Sequence, residues 1–151
     1  MKSALPALAL IVAAIVGVMI VQRFFSGGVA PTPAYFDTSR TLDDALERSK
    51  SSGKPVFALV TADWCPPCQS LKRGALVDGR VASLIESSTE PVYITDRQPR
   101  DVERLGVRAF PTSVIIRDGE VVASLRGAAS TGAYLEWLEN ALTPSAADAS
   151  P

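Results

Sequence analysis

Two cysteines that follow an apolar run constrain this chain more than any other feature of its sequence. Residues 56–60 read Val-Phe-Ala-Leu-Val, which is the pattern of a strand buried on both faces. Cys65-Pro66-Pro67-Cys68 comes shortly afterwards, and residues 66–73 predict a helix. A C-x-x-C pair between a buried strand and a helix is typical of a redox-active pair.

The start of a helix favours the thiolate form of Cys65, because unpaired N–H groups and the positive end of the helix dipole lie there. Cys68 follows one turn later, within reach of a disulfide, and we expect it to be more shielded than Cys65. Pro66 suits the first helical position, since a missing N–H costs nothing there. Pro67 stiffens the loop, and we expect Trp64 to cover the pair on its solvent side.

Composition narrows the chemistry open to this pair. The 151 residues include 2 Cys and no His, so one chain cannot complete a four-ligand zinc site. Haem attachment requires a His after the second Cys, and residue 69 is Gln. A purely structural disulfide that closes so small a loop stabilises little. With 15 Lys plus Arg against 16 Asp plus Glu, we expect no nucleic-acid partner.

The N-terminus predicts a membrane anchor. No ionisable side chain lies between Lys2 and Arg23, and about 20 apolar residues span a ~30 Å hydrocarbon layer. A cleaved signal peptide is the alternative, but the apolar run is longer than the ~7–15 residues typical of one and lacks a small-x-small site. We predict an anchor over 1–25, a linker over 26–35, a folded domain over 36–142 and a disordered tail over 143–151.

Helices and strands alternate in the predicted domain. A capping box at Thr41 begins a helix that Gly53 ends, and Asp118-Gly119 predicts a hairpin. The other predicted elements are strands 55–61, 91–95, 112–117 and 120–125, helices 66–73 and 99–105, a helix capped by Asp78, and a final helix capped by Ser130 or Thr131. This order predicts an α/β fold with a mixed sheet and strand 55–61 at its centre.

A second motif, Phe110-Pro111-Thr112, completes a resemblance to a known family. The segments 62–68, 106–112, 118–119 and Gly127 occur in the order seen in the thioredoxin superfamily, which the chain resembles over about residues 40–142. Segments 78–81 and 94–96 are also similar to the C-terminal domain of DsbD-type transmembrane thiol:disulfide interchange proteins. The resemblance implies a thioredoxin-like fold, a cis Pro111 against the cysteines, and pairing of the residue 110 backbone with a substrate peptide.

The chain departs from the family pattern at the position of a buried acid. Thioredoxins carry a buried Asp and a Lys on the neighbouring strand, where this chain has Leu59 and Val92. Asp63 and Glu90 are the candidate substitutes for the missing acid. Lys72 and its neighbour Arg73 follow Cys68 by one turn, and we expect them to be solvated surface residues. Phe110 is bulkier than the residue that usually precedes the cis proline.

The residues together predict dithiol–disulfide exchange, with Cys65 as nucleophile and Cys68 as resolving cysteine. Expected partners are protein disulfides and a thiol electron donor, with no bound cofactor and no metal. The candidate substrate-binding residues are Trp64, Pro66, Pro67, Phe110 and Pro111.

Several alternatives to this function stay open. No basic residue lies between the cysteines, which favours a reductase or electron relay over an oxidase or isomerase. A non-enzymatic binding module and a Cu(I) carrier are further alternatives. The positive charges of Lys2 and Arg23 flank the apolar segment on both sides, so they do not decide how it is oriented in the membrane. Disulfides form outside the cytoplasm, and for this reason we expect the domain in the periplasm or another extracytoplasmic space.

Overall fold

The computed structural model describes residues 10–19 and 28–143. Two compact units, Met1–Ala30 and Pro31–Pro151, make up the chain, and the fold described below is that of the second unit. Of the predicted anchor over 1–25, residues 10–19 are helical and the rest lie outside the described ranges. Within those ranges, no helix combines the length and the apolar character needed to cross a membrane. Most of the predicted tail over 143–151 also lies outside them.

Every element expected from the sequence of the domain is present, which confirms the predicted α/β fold. The helices are α1 (Leu42–Ser52), α2 (Pro66–Arg73), α3 (Gly79–Ser88), α4 (Pro99–Arg104) and α5 (Thr131–Leu142), with a 3-10 turn over Ala75–Val77. The strands are β1 (Val56–Thr61), β2 (Glu90–Thr95), β3 (Thr112–Arg117) and β4 (Glu120–Arg126).

The four strands form one mixed sheet in the order β2-β1-β3-β4. Strand β1 runs parallel to β2 and antiparallel to β3, while β3 and β4 form an antiparallel hairpin. Every residue of β1 is buried, because the strand has a neighbour on each side and helices cover both faces of the sheet. This explains why the sequence of β1 is apolar without alternation.

Local signals set the element ends as expected. Thr41 and Asp44 form the capping box of α1, and Gly53 ends that helix with a left-handed φ of 73°. Asp118 and Gly119 both adopt positive φ, 51° and 84°, as a tight hairpin turn requires. These residues therefore set where α1 begins and ends and where β3 turns into β4.

The side chains of β1 alternate between two hydrophobic clusters, one on each face of the sheet. Phe57 and Leu59 pack with side chains of α2, α3 and α5, such as Leu71, Ile85 and Leu138. The alternate residues of β1 pack with α1 and the β2 and β3 side chains of the opposite face. Helix α2 is thereby fixed by its buried face, and its first turn lies at the carboxyl end of β1.

Candidate functional site

Cys65 and Cys68 are joined in a disulfide at the N-terminus of α2. Cys65 is the N-cap residue, its sulfur accepts a hydrogen bond from the Cys68 backbone N–H at 3.3 Å, and Pro66 occupies the first helical position. The two cysteines are 3% and 1% exposed, so the predicted difference in shielding is small. The sulfur that was expected to be a nucleophile therefore lies where the helix end stabilises negative charge.

Gln69 fixes the loop that carries the first cysteine, a role that the sequence did not indicate. Its side chain is buried, and its Nε2 donates hydrogen bonds to the carbonyl oxygens of Asp63 at 2.9 Å and Ala62 at 3.5 Å. The Cys65 N–H donates to the same Ala62 carbonyl at 3.3 Å. Helix α2 and the preceding loop are therefore bonded into one unit around the disulfide.

Trp64 is 69% exposed, although the cysteine that follows it is almost fully buried. Its indole Nε1 donates a hydrogen bond to Oδ2 of Asp96 at 2.7 Å. The ring meets Phe110 edge to face, with 6.0 Å between ring centroids and 81° between planes. Phe110 in turn packs against Ala62 and both cysteines. The indole is thus held beside the cysteine pair by Asp96 and Phe110.

Pro111 follows a cis peptide bond and lies directly before β3, as the family resemblance implied. Thr112 is paired with Val60 of β1, which brings Pro111 to the strand end from which the cysteine loop departs. The sheet therefore brings together the candidate residues that the sequence separates by more than forty positions. Of the candidate substrate-binding residues, Trp64, Pro66 and Pro67 are exposed. Phe110 is partly buried and Pro111 is buried.

The expectation that Lys72 is solvated is wrong. Its side chain is 1% exposed, and its ammonium lies 3.3 Å from the hydroxyl of Tyr93 and 3.8 Å from Oδ1 of Asp63. The amphipathic face of α2 explains the burial, because Cys68, Leu71 and Lys72 follow at i, i+3 and i+4. A charged group thus lies inside the domain one turn beyond Cys68.

Glu90 does not replace the missing acid near the cysteines. It pairs with Val56 at the opposite end of β1 and accepts a hydrogen bond from Arg48 Nε at 2.9 Å, with Arg40 at 3.8 Å. Burial pushes the pKa of Glu90 upward, but the hydrogen bonds from Arg48 and Ser52 outweigh burial and hold that pKa below its ordinary value.

Asp63 is the other candidate acid, and it lies beside Lys72 with its side chain 48% exposed. Leu59 and Val92 take the places of the family's buried Asp and Lys, and both are fully buried in the hydrophobic clusters. The hydrocarbon side chain of Leu59 has no group that could accept a proton.

In the described part of the chain, no three side chains of His, Cys, Asp or Glu gather as a metal site would require.

Comparison with known proteins agrees with this geometry. The profile of the thioredoxin-like domain family matches residues 42–142. The thioredoxin of Allochromatium vinosum is 32% identical over 100 residues, which cover 65% of this chain and 91% of that protein. Thioredoxin H4 of Arabidopsis thaliana is 32% identical over 83 residues, which cover 55% of this chain and 68% of that protein.

Two solved structures have the same fold. A thioredoxin from Thermus thermophilus superposes with a TM-score of 0.65 at 21% identity, covering 77% of this chain and 92% of that one. The reduced C-terminal domain of DsbD from Neisseria meningitidis superposes with a TM-score of 0.58 at 21% identity, covering 70% of this chain and 97% of that one. At this identity the two structures establish the fold alone.

Proposed function

Since the chain belongs to the thioredoxin-like family and is a thiol–disulfide oxidoreductase, we propose that it reduces disulfides of extracytoplasmic proteins, as a reductase or electron relay. The observation that carries the proposal is the Cys65–Cys68 disulfide at the N-terminus of α2, beside the exposed indole of Trp64. The two cysteines hold the two electrons, so the exchange uses no bound cofactor.

The exchange proceeds in two steps, starting from the reduced Cys65 and Cys68. The Cys65 thiolate attacks one sulfur of the substrate disulfide, and the other substrate sulfur leaves as a thiolate that takes a proton from water. Cys68 then loses its proton and attacks the Cys65 sulfur, which breaks the mixed disulfide and releases the second substrate thiol. The products are a dithiol substrate and the Cys65–Cys68 disulfide, which a thiol donor must reduce again.

The substrate surface lies around the buried pair. Trp64, Pro66 and Pro67 are exposed and Phe110 is partly exposed, so an apolar rim surrounds two sulfurs that are almost fully covered. A substrate disulfide has to approach closely over this rim to reach Cys65. We propose that an extended peptide lies across Phe110 and Pro111 as it does so, in keeping with the family resemblance.

The direction of the exchange is proposed from the motif. Strong oxidants stabilise the thiolate of their reduced form, often with a basic residue between the cysteines, and Pro66-Pro67 supplies none. Equilibration of the full chain with reduced and oxidised glutathione measures the potential directly. A reductase requires the Cys65–Cys68 disulfide to persist against excess reduced glutathione, and a strongly oxidising potential would contradict the proposed direction.

The proposed location is the extracytoplasmic face of a membrane, with the N-terminal segment as its anchor. Residues 3–22 carry no charge, and residues 10–19 of that segment are helical. Protease added outside spheroplasts of an expressing bacterium is expected to digest the domain over 36–142. Protection of the domain until the membrane is permeabilised would place it on the cytoplasmic side.

Trapping with cysteine variants tests the mechanism and identifies the substrate. Cys68→Ala leaves the attacking sulfur without its resolving partner, so it is expected to accumulate mixed disulfides with substrate proteins that dithiothreitol releases. Cys65→Ala serves as the matched control and is expected to trap none. Equal yields from both variants would contradict the assignment of Cys65 as nucleophile.

Thiol alkylation before and after dithiothreitol separates exchange from the alternatives. A cycling pair is alkylated only after reduction and again becomes protected when a disulfide substrate is added. A pair that never cycles would support a binding module, and copper that co-purifies with the reduced chain would support a Cu(I) carrier.

A further inference from the structure

Lys72 is a buried charge for which the two-cysteine mechanism has no role. Its side chain is 1% exposed, and its ammonium donates to the Tyr93 hydroxyl at 3.3 Å while Asp63 Oδ1 lies at 3.8 Å. The ammonium also lies 6.0 Å from the centre of the Tyr93 ring. Burial of an ammonium is costly even when it is paired, and a well-packed apolar side chain serves packing at least as well. Packing alone therefore does not account for this charge.

The position of that charge relates it to the buried cysteine. Lys72 follows Cys68 by four residues on the same buried face of α2, which places their Cβ atoms about 5–6 Å apart. Cys68 is 1% exposed, so water cannot stabilise its thiolate directly. Ionisation of a buried thiol is unfavourable unless a positive charge or hydrogen-bond donor compensates for the lost solvation.

We propose that Lys72 is a positioning residue whose ammonium stabilises the Cys68 thiolate during the resolving step. The inference rests on the proposed dithiol exchange. In that step the Cys68 thiol gives its proton to water, and its thiolate attacks the Cys65 sulfur. The bond between Cys65 and the substrate sulfur breaks, and the substrate thiolate takes up a proton. Lys72 keeps its own protons throughout and contributes only its charge.

Asp63 sets how strongly this charge acts on Cys68. Its carboxylate lies between two cations, Lys72 at 3.8 Å and the exposed Arg97 at 4.0 Å from the other oxygen. Two further ionisable groups contact residues of this region: the Tyr93 hydroxyl on β2 accepts from Lys72, and Asp96 accepts from Trp64. Because Asp63 is half exposed, its negative charge is screened by water more than the buried ammonium is. Removal of the Asp63 carboxylate is therefore expected to strengthen the effect of the ammonium on Cys68.

The resolving step can be followed separately from the first attack with dithiobis(nitrobenzoate) as the probe. The reduced full chain in detergent releases one thionitrobenzoate when Cys65 attacks and a second when Cys68 resolves the mixed disulfide. The pH dependence of the second phase reports ionisation of Cys68, which a merely structural role of Lys72 would leave unchanged.

Lys72→Met removes the charge and is expected to slow the second phase about tenfold near neutral pH, with its pH midpoint raised by about one unit. The first phase is expected to change less, since Cys65 lies a further turn away. Lys72→Arg keeps a cation and is expected to retain the wild-type profile within about threefold. Lys50→Met, which removes a 71% exposed lysine of α1, is the matched control and is expected to change neither phase.

Asp63→Asn provides an independent test that does not depend on folding of the Lys72 variants. Loss of the carboxylate leaves the ammonium uncompensated, so the midpoint of the second phase is expected to fall. An unchanged second phase in Lys72→Met would overturn the inference. Failure of the proposed function would look different, because the wild-type chain would then release only one thionitrobenzoate and form no Cys65–Cys68 disulfide.

Discussion

Trp64 and Asp96 are joined by a hydrogen bond of 2.7 Å from the indole Nε1 to the carboxylate Oδ2, although 32 residues separate them in the sequence. Asp96 follows β2 directly, and Trp64 lies in the loop after the parallel strand β1. The carboxyl ends of two neighbouring parallel strands lie side by side at the same end of the sheet, which explains why Trp64 and Asp96 meet. The bond restrains an indole that is otherwise exposed beside the cysteine pair.

Asp96→Ala is expected to slow the reduction of a protein disulfide about threefold, because the freed indole must be ordered again on binding. Reduction of dithiobis(nitrobenzoate), which is too small to need the apolar rim, is expected to keep its rate. Stopped-flow rates with both substrates provide the comparison. Glu47→Ala, which removes a 73% exposed carboxylate of α1, is the control. Equal losses with both substrates would mean that Asp96 acts on the cysteines themselves.

A buried pair of hydroxyl groups, Ser113 and Tyr134, joins the sheet to α5 at 2.6 Å. Tyr134→Phe is expected to lower the free energy of unfolding by about 1–3 kcal/mol, because it leaves the Ser113 hydroxyl buried without its partner. Addition of Ser113→Ala is expected to recover part of this loss, since neither group is then unsatisfied. Urea unfolding of the wild-type chain, the two single variants and the double variant measures the coupling energy between the two hydroxyl groups. Strictly additive losses would contradict the account.

Two tyrosines make the domain sensitive to alkali. Burial, with the nearby Tyr134 and Glu86, raises the pKa of Tyr35 well above its ordinary value of 10.0. Burial likewise raises the pKa of Tyr134, and the hydrogen bond with Ser113 only partly opposes this. Above about pH 10 the unfolded chain releases protons that the folded chain retains, so stability falls as pH rises. Each tyrosine contributes up to about 1.4 kcal/mol per pH unit.

Urea unfolding at several values between about pH 9 and pH 11 measures this slope. Tyr134→Phe is expected to make the slope shallower even though it lowers stability at neutral pH. A slope equal to that of the wild-type chain would show that Tyr134 ionises in the folded state.

The hydroxyl of Thr61 at the end of β1 is buried and has no hydrogen-bond partner. Within residues 10–19 and 28–143, every other fully buried side-chain nitrogen or oxygen has one. Thr61→Val replaces this hydroxyl with a methyl group and is expected to raise the free energy of unfolding by about 1 kcal/mol. Thr112→Val is the matched control, because the Thr112 hydroxyl donates to the Ala109 carbonyl at 2.8 Å, and it is expected to destabilise. Thermal unfolding of both variants checks the opposite signs.

The sequence predicted the parts of the fold that depend on neighbouring residues. The apolar run of β1, the capping box at Thr41 and the turn at Asp118-Gly119 each act within a few residues, and all lie where expected. The cysteine pair was found for the same reason, since strand, loop and helix follow directly in the chain. The helix over 66–73 has the predicted bounds because Pro66 begins it and Gly74 ends it.

Apart from the approach of Pro111 to the cysteines, which the family resemblance implied, contacts between distant segments were not predicted. Lys72 was expected at the surface because lysine is rarely buried, although its i+4 spacing from Cys68 indicates the buried face of α2. Tyr93, the partner of Lys72, lies on β2, and Asp96, the partner of Trp64, follows that strand. No sequence pattern around Tyr93 or Asp96 indicates a contact with α2 or with the loop that carries Cys65. Glu90 was a candidate acid, but it pairs with Val56 at the start of β1 and so lies at the end of the sheet away from the cysteines.

The most direct test of the central claim is the reduction of insulin by the full chain with dithiothreitol as the electron donor. The wild-type chain is expected to accelerate precipitation of the free insulin B chain well above the rate with dithiothreitol alone. Cys65→Ala is expected to show no acceleration, because the attacking thiolate is absent. A wild-type rate equal to that of dithiothreitol alone, or acceleration that survives in Cys65→Ala, would contradict disulfide exchange through this cysteine pair.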